Sequence, residues 1–197
     1  MLNIKSKTYL NQTRIHVLKL LIYQHNLPLN ITRNYLIYGK GLGSLFAKKN
    51  TKMNFGNSGT LARLLIGVLS STPGIEIKIH GDHSLNKRNM KKLFTLMSKF
   101  GAFFLPKNKF KFPIKMISSD LPIGIKYEAG VSAQLKSAVI LAGLNSYGET
   151  QIIEKEKSRD QTENMLLNNF QTIKIIKQKK KLIKIYGKKY LNLIDTK

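Results

Sequence analysis

Apolar residues at Leu61, Leu64, Leu65, Val68 and Leu69 follow the i, i+3, i+4, i+7, i+8 spacing of one helix face. They predict a helix that opens in the turn Asn57–Thr60 and stops at Pro73-Gly74. Ile75 to His80 alternates apolar and polar, the pattern of a half-buried strand. A loop beginning at Gly81 leads into a second helix whose apolar face is Met90, Leu93, Phe94 and Met97, with Gly101 at its C-terminal stop. Phe103–Leu105 and Lys109–Met116 predict two strands, and Pro113 pushes the second towards a sheet edge because proline cannot donate to a ladder.

The same order then returns. Ser132–Leu144 is a helix apolar nearly all round and therefore buried on most sides, and Glu149–Lys155 is a strand. Ser158 opens another helix, with Gln161 at the spacing of a capping box. Thr172–Lys177 and Lys181–Tyr186 form a strand pair. Gly148 lies 74 residues beyond Gly74, and at that offset Leu61, Leu65 and Ile66 fall on Leu135, Val139 and Ile140. The fold class is thus α+β, built from a repeated helix–strand–helix–strand–strand unit. A fainter half-unit precedes the two, a helix over Tyr9–Tyr23 and a strand over Asn34–Lys40 that ends in the turn cluster Gly39–Gly43.

A chain of 197 residues is long enough for a sizeable core, in one large domain or two small ones. It contains no Cys, hence no disulfide framework and no thiolate metal site. No apolar run reaches the ~18 residues that span a bilayer, and the N-terminus lacks the apolar core of a signal peptide. These features lead to the expectation of a cytoplasmic protein. The net charge of +24 favours anionic ligands, but the lysines are dispersed among Asn and Ile rather than gathered into a stripe. The one dense run, Lys177–Lys184, joins two Ile-rich stretches and reads as a hairpin turn. A nucleic-acid-binding module is the alternative from another class. It lacks support, since no basic residues alternate with aromatics on a strand and no recognition-helix or zinc pattern occurs.

Candidate chemistry gathers at helix starts, where free backbone N–H groups and the positive dipole end seat anions. Gly59, without a Cβ, lets an anion approach the main chain, and Arg63 one turn on adds a forked donor. Matching starts are Ser132-Ala133-Gln134 and Ser158-Arg159-Asp160, with Lys87-Arg88 in the intervening loop. Each has a plain alternative: a capped core helix, a solvated basic face, ordinary first-turn residues, or a local Arg159–Asp160 ion pair worth about 0–1 kcal/mol. Their recurrence at matched places in a repeat favours convergence on one surface.

The run Gly56-Asn-Ser-Gly-Thr…Arg63-Leu-Leu, then Gly81-Asp82…Ser84-Leu…Lys87-Arg88…Met90, then Ser132-Ala-Gln-Leu-Lys-Ser-Ala-Val…Leu-Ala-Gly-Leu-Asn, then Arg159-Asp-Gln-Thr-Glu-Asn-Met-Leu resembles the 5-enolpyruvylshikimate-3-phosphate synthase family. The likeness runs from about residue 6 to the C-terminus, on the branch with Ser-Ala-Gln. It implies helices inside and sheets outside, in a two-domain enzyme with three sheet-and-helix repeats per domain. It also implies the reaction, in which phosphoenolpyruvate gives its enolpyruvyl group to the 5-hydroxyl of shikimate 3-phosphate and phosphate leaves. No metal or organic cofactor is needed in that chemistry. Carried over by position, Gly59, Arg88 and Gln134 bind phosphoenolpyruvate, with Asn57 and Thr60 shaping the turn. Ser132, Ala133 (through its backbone) and Gln134 bind the shikimate phosphate, and Arg159 lies beside it. Asn89 departs from the family, which usually has Pro there.

The resemblance further implies that residues 1–197 are the N-terminal domain without its first strand and helix, and that the second domain is absent. The family's Lys-Ser…Arg stretch is not matched by Lys5-Ser6, because Ser6–Leu21 aligns with a later helix of that repeat. The acid–base groups are expected in the missing domain, so the chain alone is expected to be inactive or to need a companion chain. A decayed, non-catalytic relative is the remaining alternative.

Overall fold

The computed structural model describes residues 42–43, 45–48, 50–177, 180–189 and 191. The helix expected over Tyr9–Tyr23, the strand expected over Asn34–Lys40 and the Lys5-Ser6 pair lie outside the described residues. Within them the chain forms two copies of one unit. The first consists of β1 (Thr51–Asn54), α1 (Gly59–Ser70), β2 (Glu76–His80), the short α2 (His83–Lys87), α3 (Lys91–Lys99), β3 (Phe103–Leu105) and β4 (Ile114–Ile117). The second consists of β5 (Lys126–Ala129), α4 (Ala133–Leu144), β6 (Glu149–Glu154), α5 (Gln161–Leu166), β7 (Ile173–Lys177) and β8 (Lys181–Tyr186). Their sheets have the same strand order, β1-β2-β4-β3 and β5-β6-β8-β7. In each, the first two strands are parallel and joined by a crossover helix, while the last two run antiparallel.

The offset of 74 residues seen in the sequence is structural. α1 and α4 have the same length and begin and end 74 residues apart, Gly59 matching Ala133 and Ser70 matching Leu144. They pack against each other at the centre of the molecule. Contact is closest at Gly67, where an added Cβ would lie 2.6 Å from the Ala138 carbonyl oxygen. α4 is buried from Leu135 to Leu144, as its all-round apolar pattern predicts. α1 differs from the one-faced helix expected. Of the predicted face only Leu64 and Leu69 are buried, Leu61, Leu65 and Val68 being half-buried, while Ala62, Ile66 and Gly67, off that face, are buried where α1 packs on α4 and α3. In the first unit the layer beneath the sheet is aromatic, with Phe94 stacked on Phe104 at 4.4 Å and edge-on to Phe112.

Three local expectations are corrected. Pro113 stands ahead of β4, which begins at Ile114; the strand keeps its N–H donors and lies inside the sheet between β2 and β3, not at an edge. Ser158 forms no capping box. Its hydroxyl donates to Glu154 Oε1 at 2.8 Å, and the following helix starts later, at Gln161, with Asp160 at the N-cap and no side-chain cap bond. The edge strands β1 and β5 were not expected from the sequence. Each has four residues, and Thr-Lys-Met-Asn and Lys-Tyr-Glu-Ala carry charged or polar side chains on the face away from the core.

Candidate functional site

Both central helices begin the same way. Ser58 and Ser132 are their N-caps, with nearly equal backbone angles (φ −88°, ψ 97° and φ −82°, ψ 96°). Each hydroxyl accepts a hydrogen bond from the N–H three residues on, from Leu61 at 3.1 Å and from Leu135 at 3.4 Å. The caps fix the two first turns side by side. Thr60 and Gln134, equivalent residues of the two units, meet across the gap: Gln134 Nε2 donates to Thr60 Oγ1 at 2.6 Å.

Arg63 is the hub. Its Nη1 donates to Gln134 Oε1 at 2.8 Å and to the Gly59 carbonyl at 3.1 Å. Arg88 is the C-cap of α2, the short helix after β2, whose N-cap Asp82 accepts from the Leu85 N–H at 2.8 Å. Arg88 Nη2 donates to Asn57 Oδ1 at 2.7 Å. A Cβ on Gly59 would stand 2.7 Å from Arg88 Nη1 and 2.9 Å from Arg63 Nη1, so both guanidinium groups lie against that glycine. Burial first, and the Arg88 charge second, lower the pKa of Arg63. An arginine stays protonated despite this, and none of the recorded ion pairs gives either arginine a carboxylate partner among the described residues. Two adjacent cations at a helix start make a field that a bound anion relieves.

The structure therefore joins Gly59, Thr60, Arg63 and Gln134 in one hydrogen-bonded chain and sets the Arg88–Asn57 pair against the same Gly59, with Ser132 and Ala133 in the turn beside Gln134. Arg63 was legible in the sequence as a forked donor, but its link to Gln134 across 71 residues was not. Arg159 is not in that network. It is exposed in the loop between β6 and α5 and makes no hydrogen bond or ion pair among the described residues. The local Arg159–Asp160 pair is absent too; Asp160 Oδ1 accepts from Asn164 Nδ2 at 3.2 Å.

The family model described as EPSP synthase (3-phosphoshikimate 1-carboxyvinyltransferase) matches residues 18–196. The chain belongs to the EPSP synthase family. A 3-phosphoshikimate 1-carboxyvinyltransferase of Paramagnetospirillum magneticum is 39% identical over 143 residues, 72% of this chain and 32% of that protein. The one from Thermodesulfovibrio yellowstonii is 41% identical over 138 residues, 70% of this chain and 32% of its own length. Among solved structures, EPSP synthase from Acinetobacter baumannii aligns with TM-score 0.67 at 35% identity, over 79% of this chain and 34% of that one. The chain spans about a third of the length of these EPSP synthases.

One further group escaped the sequence. Lys136, in the second turn of α4, is fully buried and lies 2.7 Å from both Glu154 Oε1 and Glu163 Oε1. Lys181 closes the cluster at 3.3 Å from each carboxylate. Burial alone would raise the Glu154 pKa, but Lys136 and the hydrogen bonds from Ser158 reverse this and hold it at about 2. The available signal was a lysine in a helix otherwise apolar nearly all round.

No metal-binding cluster of His, Asp or Glu occurs among the described residues, and no described helix is long and apolar enough to cross a membrane.

Proposed function

We propose that this chain carries one side of a 3-phosphoshikimate 1-carboxyvinyltransferase site and seats the phosphate groups of both substrates. The single observation that supports it is the hydrogen-bonded bridge Gly59–Arg63, Arg63–Gln134 and Gln134–Thr60 between two capped helix starts, with the Arg88–Asn57 pair set against Gly59. Gly59 and Arg88 hold the phosphoenolpyruvate phosphate, with Asn57 and Thr60 fixing the turn. Ser132, the Ala133 backbone and Gln134 hold the phosphate of shikimate 3-phosphate, and Arg159 closes on it from the next loop. Gln134, bonded to both Thr60 and Arg63, stands between the two subsites. Two mutually repelling phosphoesters are held together by N–H groups and fixed cations that are in place before substrate arrives.

In the reaction the 5-hydroxyl oxygen bonds to C2 of phosphoenolpyruvate as the methylene carbon is protonated. The C–O bond to phosphate then breaks, and a proton leaves the methyl group to restore the double bond. These proton transfers need positioned acid–base groups. The carboxylates nearest the candidate loops are committed elsewhere, Asp82 to capping α2 and Asp160 to Asn164. The residues here bind and orient, and the acid–base groups come from the part of the family's fold that this chain does not cover, through a companion polypeptide or a longer chain. On this view residues 1–197 are most of one domain, and a cytoplasmic location suits its metabolite substrates.

The test is a steady-state assay with both substrates, on the purified chain alone and mixed with a polypeptide covering the remainder of a family member. Turnover in the mixture only is the expected result. Turnover by the chain alone contradicts the division of labour, and no turnover in a mixture that forms a stable complex contradicts the proposed activity.

A further inference from the structure

The two units differ at one buried place. Ala62 in α1 and Lys136 in α4 are equivalent at the 74-residue offset, and both are fully buried. His80 and Glu154, which end β2 and β6, are equivalent at the same offset. The first unit thus fills this position with a methyl group, and the second with an ammonium between two carboxylates. Stability does not explain the exchange, since a buried ion cluster is often no better than apolar packing. The cluster is also incompletely satisfied: Glu163 Oε2 is buried with no hydrogen-bond partner among the described residues.

Its connections suggest what it does instead. Lys136 is bonded through its backbone N–H to the carbonyl of the N-cap Ser132 at 3.1 Å, one turn above the Ser132–Gln134 anion seat. The Glu154 Oε1 atom that Lys136 grips also accepts from the Ser158 N–H at 3.0 Å and from the Ser158 hydroxyl at 2.8 Å. Ser158 immediately precedes Arg159. A second tie, Ser137 Oγ to Thr162 Oγ1 at 2.8 Å, holds α5 to the same turn of α4.

We propose that Lys136 is a positioning residue which, through Glu154 and Ser158, locks the Arg159 loop to the start of α4, so that Arg159 and the Ser132–Gln134 turn face one phosphate ester. The substrate half of this statement rests on the site assignment of the preceding section; the locking half does not. Arg159 has no partner of its own among the described residues, so its approach to a ligand is set by the residue before it. The Lys136–Glu154–Ser158 chain supplies a rigid base for that residue. In the first unit the equivalent alanine has no such reach, and Arg88 is held instead by a direct bond to Asn57.

The experiment compares the full chain with Ser158→Ala and Lys136→Met, by hydrogen exchange and by titration with shikimate 3-phosphate. Lys136→Met removes a buried cation and risks unfolding, so Ser158→Ala, which leaves the four charges in place, carries the test. In Ser158→Ala, exchange of the segment 155–160 rises by about tenfold or more while that of 81–90 stays unchanged. Affinity for shikimate 3-phosphate falls roughly fivefold to tenfold, and in an Arg159→Ala background the same substitution has no further effect. Unchanged exchange overturns the proposal, as does a full affinity loss that persists without Arg159. Raised exchange in a chain whose wild type does not bind shikimate 3-phosphate supports the lock and overturns the substrate assignment.

Discussion

The two repeated units share a scaffold and differ in the side chains they hang on it. Helix start, cap residue, strand order and the 74-residue spacing agree between them. What differs is how each holds the arginine in the loop after its second strand. In the first unit Arg88 is tied directly to Asn57. In the second, Arg159 is exposed with no hydrogen bond or ion pair among the described residues, and the residue before it is anchored to a buried ion cluster. Duplication supplied two capped helix starts, and side-chain differences made them unequal.

The comparison breaks most sharply at the ion cluster. Lys136→Met leaves Glu154 and Glu163 with Lys181 as the one remaining cation of the cluster, and should cost about 3–5 kcal/mol in denaturant unfolding. Ala62→Gly, at the equivalent place, removes only a methyl group and adds backbone entropy, and should cost about 1–2 kcal/mol. Similar losses at the two sites would show that the cluster contributes nothing distinctive.

Acid sharpens the same contrast. The Glu154 pKa is depressed from 4.5 to about 2, so its charged form stabilises the fold above the unfolded pKa. That contribution, roughly 3 kcal/mol for a shift of this size in a buried group, is lost as pH falls from about 4.5 towards 2. Unfolding followed against pH should show this loss in the wild type and a flatter acid limb in Glu154→Gln.

The helix contact comes next in size. Gly67→Ala drives a methyl group into the Ala138 backbone and should destabilise by about 1–3 kcal/mol. Gly59→Ala meets only the ends of two arginine side chains, which can shift, so it should leave stability nearly unchanged. On the proposed site assignment it should instead weaken phosphoenolpyruvate more than shikimate 3-phosphate. Equal losses for both ligands in calorimetric titration would place the phosphoenolpyruvate turn elsewhere. The smallest effects belong to the caps: Ser58→Ala and Ser132→Ala should each cost about 1 kcal/mol, and by similar amounts because their geometry is nearly the same.

Much of this was legible in the sequence for a physical reason. Periodicity reports burial, and the helices and inner strands are buried on regular faces, so Leu61–Leu69, Ile75–His80 and Ser132–Leu144 announce themselves. β1 and β5 are short edge strands with polar outer faces and carry little such signal. Gly59, Arg88 and Gln134 were visible as a motif set, and their meeting through Arg63 depends on tertiary packing that no local pattern encodes. Ser158 misled because a capping box and a hydrogen bond to a preceding strand residue use the same hydroxyl. The Lys136 cluster stayed hidden because Glu154 and Glu163 look like ordinary surface acids until the sheet closes over them.

The central claim is that two capped helix starts, bridged by Arg63 and Gln134, recognise a phosphorylated metabolite and not charge alone. It is tested most directly by calorimetric titration of the purified chain with shikimate 3-phosphate and with inorganic phosphate, in wild type and Gln134→Ala. The account predicts that wild type binds the ester at least about tenfold more tightly than phosphate, and that Gln134→Ala abolishes the preference. Equal affinity for the two ligands, or a preference that survives in Gln134→Ala, would contradict it.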